Sequence, residues 1–255
     1  MIDSLPQARR AIGRAHPRDP SDIDGLTVWL QADRGVVLDA SGNVSEWRDQ
    51  SGRGNHAVQS TAGARPTYAR DANGRRVVQT TRAARFMTIP ATADTGPTAA
   101  GFTVYAAVSS SDAVNFGSVA GKWSAVAADE SWISMTNDAT AAACSGYFSE
   151  AGTNTDRGAF SPGDASTGVP RVTALRYDPT GFVRNSLDGT TAAGGAIAGV
   201  KNVPTGIAYI GRSTPTLYPL DASISTIIIV QRYIAGGSAE DVFIRDYFRR
   251  TCGTP

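Results

Sequence analysis

The chain has 255 residues, a length at which an all-β sandwich still folds as one unit, so one large core is the first expectation. Its 27 glycines and 13 prolines, with only 18% charged residues, suit many short strands broken by tight turns and exclude a helical bundle. A formal net charge of +1 supplies no field to hold a polyanion, and no basic cluster lies on a periodic element, so nucleic acid is excluded as a partner.

Residues 1–22 differ from the rest. Arg9, Arg10, Arg14 and Arg18 alternate with Leu5, Ala8, Ile12 and Ala15 at loosely helical spacing, and His16-Pro17 and Asp19-Pro20 then break the pattern. Such a segment cannot bury enough apolar surface to order itself. It reads as an extended anchoring arm held by its own domain or, preferentially, by a neighbouring subunit. It has no apolar signal core, and no later segment approaches 18 unbroken apolar residues, so the expectation is synthesis in the cytosol with no membrane span.

Strand signals begin after Asp24. Leu26–Leu30 is β-prone, Val44–Trp47 follows the turn at Ser41-Gly42-Asn43, and Trp29 and Trp47 are expected in the core. Further runs lie at 76–79, 86–89 and 102–108, the last with Phe102, Val104, Ala106 and Val108 on one face. Runs at 119–123, 131–136 and 146–149 continue the series. Residues 171–177 and 182–187 flank the turn Asp178-Pro179-Thr180-Gly181, and Asp188-Gly189 turns the chain into another strand. Residues 206–211 give one more strand. In 224–230, Ile-Ser-Thr-Ile-Ile-Ile-Val, alternation fails and both faces are apolar, so something must cover the outer one. A helix over Ala239–Arg249 answers this need. Ser238 caps it, Asp241 and Arg249-Arg250 suit its dipole, and Phe243, Ile244, Tyr247 and Phe248 form its apolar stripe.

Cys144 and Cys252 are the only cysteines, too few for a disulfide scaffold and without metal-ligand spacing; one bridge and two buried free thiols are both compatible with them.

Two stretches carry a family resemblance. "DGLTVWLQAD" at 24–33 with "GNVSEWRDQSGRGNHAVQ" at 42–59 resembles the opening of laminin-G-like, concanavalin A-like modules of bacterial surface proteins and phage virion proteins. "PRVTALRYDPTGFVRNSLDG" at 170–189, "AYIGRS" at 208–213 and "DASISTIIIVQRYIAGGSAEDVFIRDYF" at 221–248 are similar to that family's closing strands and terminal helix, in the same order. Ala222 and Thr226 depart from the Gly and Glu usual there, and residues 110–165 match nothing in the family. The resemblance implies an antiparallel concanavalin A-like β-sandwich, or jelly roll, over residues 23–255, with one short C-terminal helix and the arm outside it.

Chemistry is sparse. The β-glucanases of this fold place acid and nucleophile as Glu-x-Asp-x-x-Glu, about 5–5.5 Å apart in retaining enzymes. The four glutamates here, Glu46, Glu130, Glu150 and Glu240, do not form that pattern. Neither histidine has a nucleophile elbow or a nearby cysteine, and the Gly-rich stretches lack a phosphate-loop context, so no catalytic residue and no resident cofactor is expected.

Two candidate sites remain. In related modules the loop Asp49–His56 gathers carboxylate and main-chain oxygens, sometimes around calcium, which makes Asp49 and Asn55 candidate ligands; the alternative is that both bond to backbone while Gly52 and Gly54 take φ > 0. For glycan, Trp123, Trp132, Tyr147, Phe160 and Tyr218 fall in or beside the unmatched middle and could stack on sugar rings. The leading expectation is a non-enzymatic decoration, spike or fibre-associated protein of a phage or phage-like virion, joined to other subunits or copies through its arm. The alternative is a lectin-like module of a bacterial surface or secreted protein.

Overall fold

A computed structural model describes residues 19–255, apart from 111–115, 124–130, 139–142, 152–154, 162, 164, 166, 201, 202, 204, 205 and 215. Arg9, Arg10, Arg14 and Arg18 of the expected arm lie outside the described residues.

The first strands are β1 (Leu26–Gln31), β2 (Val36–Leu38), β3 (Val44–Trp47), β4 (Ala57–Val58), β5 (Thr67–Arg70) and β6 (Arg76–Thr80). Then come β7 (Met87–Ile89), β8 (Phe102–Ser110), β9 (Gly117–Lys122), β10 (Trp132–Asp138), β11 (Ala143–Ser149) and β12 (Asp156–Phe160). The chain closes with β13 (Arg171–Asp178), β14 (Phe182–Leu187), β15 (Thr190–Ala196), β16 (Ala208–Ile210), β17 (Ala222–Val230) and the helix α1 (Ala239–Cys252).

Among the described residues these strands form two antiparallel sheets. Sheet A has the order β15-β14-β13-β8-β17-β6-β5, with β1 pairing the last part of β17 while β6 pairs its beginning. Sheet B has the order β12-β11-β10-β9-β16-β7-β4-β3-β2. Their inner faces meet over one core that includes Trp47, Phe102, Val104, Val108, Trp132, Phe148, Leu175, Ile227 and Ile229. The expected all-β sandwich with a C-terminal helix is therefore the observed fold.

Period-two alternation decides which side each residue faces. Phe102, Val104, Ala106 and Val108 point into the sandwich, so Tyr105 and Ala107 point out of it. In β17 the register slips between Ile224 and Thr226, and the bulge keeps Ile224, Ile227 and Ile229 inward while Ile228 and Val230 face outward. The helix covers that outer face: Ile244, Tyr247, Phe248 and Cys252 pack on Trp29, Tyr105, Val172, Ile228 and Val230. Each such side chain removed from water is worth roughly 1.5–3 kcal/mol, enough to hold a short helix on a sheet. Ser238 Oγ accepts from the Asp241 N–H, as a capping residue should, and the helix runs three residues past Arg249 to a left-handed Gly253.

The two turns expected around residues 182–187 are both present. Gly181 N–H donates to Asp178 O at 2.9 Å, and Asp188 and Gly189 take φ of 49° and 91°, the pair of positive angles that a tight hairpin needs. Four short strands, β2, β4, β5 and β12, had no clear sequence signal. The expected strand at 206–211 is confined to Ala208–Ile210. Cys144 and Cys252 are both buried thiols and are not bridged to each other. Among the described residues no helix is long and apolar enough to cross a membrane.

Candidate functional site on the outer face of sheet B

Strand pairing lays one line of residues across five strands of sheet B. Gly158 of β12 opposes Tyr147 of β11, which opposes Ile133 of β10; Ile133 opposes Gly121 of β9, and Gly121 opposes Tyr209 of β16. This line faces away from the core, because the neighbours Trp132 and Phe148 face into it. Gly158 is required where it stands: a Cβ there would lie 2.4 Å from Tyr147 Cε1, so the missing side chain is the seat on which the tyrosine ring rests.

Beside this line lies an apolar cluster of Trp123, Ile133 and Met135, with Phe116, Tyr147 and Tyr218 packed against it. The Tyr147 and Phe160 rings meet edge to face at 5.7 Å, and those of Phe116 and Tyr218 lie 5.4 Å apart. Four of the five expected glycan aromatics thus gather on one face. Phe160 is the most open, at 40% exposure; Tyr147 and Tyr218 are half-buried and Trp123 is nearly covered. Tyr218 has φ 49°, a backbone region uncommon for an aromatic residue, and its carbonyl is fixed by the Ser118 N–H at 3.0 Å.

Trp132 must be removed from the set. It is fully buried on the inner face, its ring 5.3 Å from Phe102 and its Nε1–H donating to Thr95 O at 2.7 Å, so no ring face is left for a ligand. Adjacent residues of a strand point oppositely, and Trp132 and Ile133 cannot share a face. Ile133 and Met135 belong to the site instead, with Phe116; parity along β10 was the signal that could have found the first two.

Polar groups border the aromatics. The buried Ser118, Ser145 and Ser149 hydroxyls have no hydrogen-bond partner among the described residues. Arg157, whose Nη2 pairs with Glu150 Oε2 at 3.1 Å, opposes the inward-facing Phe148 and so points off this face. At the far end of the line, Arg212 stacks on Phe86 at 4.1 Å from the ring centre, and Phe86 lies 6.1 Å from Tyr209. Burial pushes the Arg212 guanidinium below its ordinary value and the Tyr209 hydroxyl above its own, so this end is a desolvated aromatic–cation group.

The Asp49 loop is a brace. Asp49 Oδ1 accepts from Trp29 N and Ser51 N, and Oδ2 accepts from Ser51 Oγ and Asn55 N, over 2.6–3.1 Å. A carboxylate offers about four acceptor positions, so none remains for calcium. Asn55 Nδ2 donates to Thr27 O, and Gly52 and Gly54 take φ of 83° and 76°, which ties the loop to β1. Among the described residues no group of three or more His, Cys, Asp or Glu is placed to hold a metal ion. Glu46, Glu150 and Glu240 each pair with an arginine, and Glu130 lies outside the described residues.

No protein-family model matches the chain, and no curated protein does. Solved structures do. The binding domain of Paraclostridial Mosquitocidal Protein 1 is similar with a TM-score of 0.63 at 9% identity, over 90% of this chain and 53% of that one. The receptor binding domain of botulinum neurotoxin D gives 0.60 at 9%, over 91% and 55%. The serotype D ligand binding domain in complex with N-acetylneuraminic acid gives 0.59 at 8%, over 88% and 51%. The chain spans about half the length of each of these structures. At such identity the likeness establishes architecture alone: the chain has the two-sheet sandwich fold that those toxin binding domains contain.

Proposed function

We propose that this protein is a non-catalytic recognition module that engages glycan through the outer face of sheet B. The observation that carries the reading is the convergence of Trp123, Tyr147, Phe160 and Tyr218 beside unpartnered serine hydroxyls. Aromatic faces take the apolar faces of sugar rings, and Phe160 is the ring most open to one. The likeness to toxin binding domains, one of them holding N-acetylneuraminic acid, agrees with recognition rather than catalysis.

The finer reading is a structural or adhesion protein of a phage or phage-like particle. Its sandwich is displayed outward, and residues 1–22 anchor it to other virion subunits. Its support is the family resemblance of residues 24–59 and 170–248 and the arginine-bearing arm. A lectin-like module of a bacterial surface or secreted protein is the second reading, in keeping with the likeness to toxin binding domains.

Two measurements test this. On an array of host-surface polysaccharides the full chain binds a selective subset; uniform silence across the array contradicts recognition. In fractionated lysate the chain travels with particles and loses that association when residues 1–22 are removed, whereas a chain found only as free monomer contradicts the virion role.

A further inference from the structure

The outer face of sheet A changes character along its strands. Under the helix it is apolar, with Tyr105 and Ala107 on β8 and Ile228 and Val230 on β17. Beyond the helix the same faces of the same strands carry Ser109 and Ser223. Pairing extends this level across four strands: Thr67 of β5 opposes Gln79 of β6, Gln79 opposes Ser223 of β17, and Ser223 opposes Ser109 of β8. All four side chains are half-buried, and none is charged.

This row lies along a groove of about 400 Å³, a volume within the range of small-ligand sites. Thr81, Gly168 and Asp221 also line it. Gln79 Nε2 donates to Ser223 Oγ at 3.2 Å, and Ser109 Oγ to Gly168 O at 2.9 Å, so amide and hydroxyls are held in place. Asp221 is exposed, and its Oδ1 accepts from Arg82 N at 2.7 Å. An exposed antiparallel face that serves only for solubility is usually dressed with long charged side chains. Here donors and acceptors are short, neutral and spaced by strand separations of roughly 4.8 Å, with a carboxylate at the rim.

We infer that this groove is a second carbohydrate-binding site, on the sheet opposite the aromatic face, for an uncharged sugar. Neutral hydroxyl and amide groups exchange hydrogen bonds with ring hydroxyls in both directions. The Asp221 carboxylate accepts from sugar hydroxyls and repels a carboxylated sugar, and among the described residues that line the groove none is a lysine or arginine. The two faces would then engage glycan from opposite sides of the sandwich. The groove's own chemistry supports this site whether or not the aromatic face binds.

The test is a backbone-amide NMR titration of the full chain with lactose, maltose, N-acetylglucosamine oligomers and 3′-sialyllactose. At least one neutral sugar is expected to shift the amides of Gln79, Ser109 and Ser223, with 3′-sialyllactose shifting them at least about tenfold more weakly. Ser223→Tyr, which fills the groove, and Gln79→Ala, a milder change, should each abolish those shifts while Phe160→Ala leaves them intact. Unmoved groove amides across the whole neutral panel would overturn the site, as would equal response to the sialylated sugar. Shifts confined to Tyr147 and Phe160 would uphold the aromatic face and remove this groove.

Discussion

Arg176 and Asp241 form an ion pair at 2.6 Å with neither side chain exposed, joining the middle of sheet A to the first turn of the helix. Tyr105 Oη also donates to Asp241 Oδ1 at 2.8 Å, Ser186 Oγ accepts from Arg176 Nη1, and Arg245 and Gly237 N–H hold the other carboxylate oxygen. Burial alone would raise the Asp241 carboxyl, but Arg176, the Gly237 N–H and Tyr105 outweigh it and hold the group below its ordinary value. The depressed folded value means that this stability is present above about pH 4 and is lost as pH falls further. Asp241→Ala leaves a buried guanidinium without its counter-charge and should cost about 3–5 kcal/mol in chemical denaturation. A loss below 1 kcal/mol would show that the pair does not hold the helix.

Lys122 gives a second pH signature. It is fully buried at one end of the sandwich, with Nζ donating to Thr92 O at 2.6 Å. Burial lowers its ammonium from 10.5 to about 8, against the opposing pull of Asp94. The folded chain therefore releases this proton near pH 8 while the unfolded chain keeps it to about 10.5, so the contribution of Lys122 to stability rises with pH through that window. Burial raises the Tyr105, Tyr247 and Cys252 groups, which act oppositely at the alkaline end. Comparison with Lys122→Met isolates the lysine. Between pH 8 and 10.5 the wild type should gain about 3 kcal/mol relative to the variant in urea unfolding, and a constant gap would refute the assignment.

Gly158 tests the seat beneath Tyr147. Gly158→Ala puts a methyl where the half-buried Tyr147 ring lies and forces the ring aside. The expected result is a loss of about 1 kcal/mol in stability or less, together with a clear loss of glycan affinity. Unchanged affinity with a displaced ring would separate Tyr147 from binding.

The Asp49 loop should respond to mutation and not to calcium. Asp49→Ala strands the Trp29, Ser51 and Asn55 N–H groups and should cost about 2–4 kcal/mol, whereas millimolar calcium or a chelator should leave the wild-type melting temperature unmoved. A calcium-dependent rise in that temperature would restore the loop as a metal site.

The fold was legible because its long strands carry period-two apolar patterns and its turns carry Asp-Gly and Pro-Thr-Gly chemistry. The two-faced run Ile224–Val230 even announced the helix that covers it. Short edge strands such as Asp156–Phe160 bury little and so leave little pattern. Much of the site was hidden for a related reason. Trp132 and Tyr147 look alike in sequence, and only pairing reveals that Trp132 opposes Phe148 on the inner face while Tyr147 opposes Ile133 on the outer one. The polar groove on sheet A was invisible because Thr67, Gln79, Ser109 and Ser223 lie on strands that meet only in the folded sheet.

Glycan recognition by the outer face of sheet B is read from the affinity of the double variant Tyr147→Ala/Phe160→Ala for an array-selected glycan. Truncating an aromatic anchor of a binding site commonly costs on the order of 2 kcal/mol, so the variant should bind about tenfold more weakly or worse while unfolding as cooperatively as the wild type. Full affinity retained by a folded double variant would contradict the account.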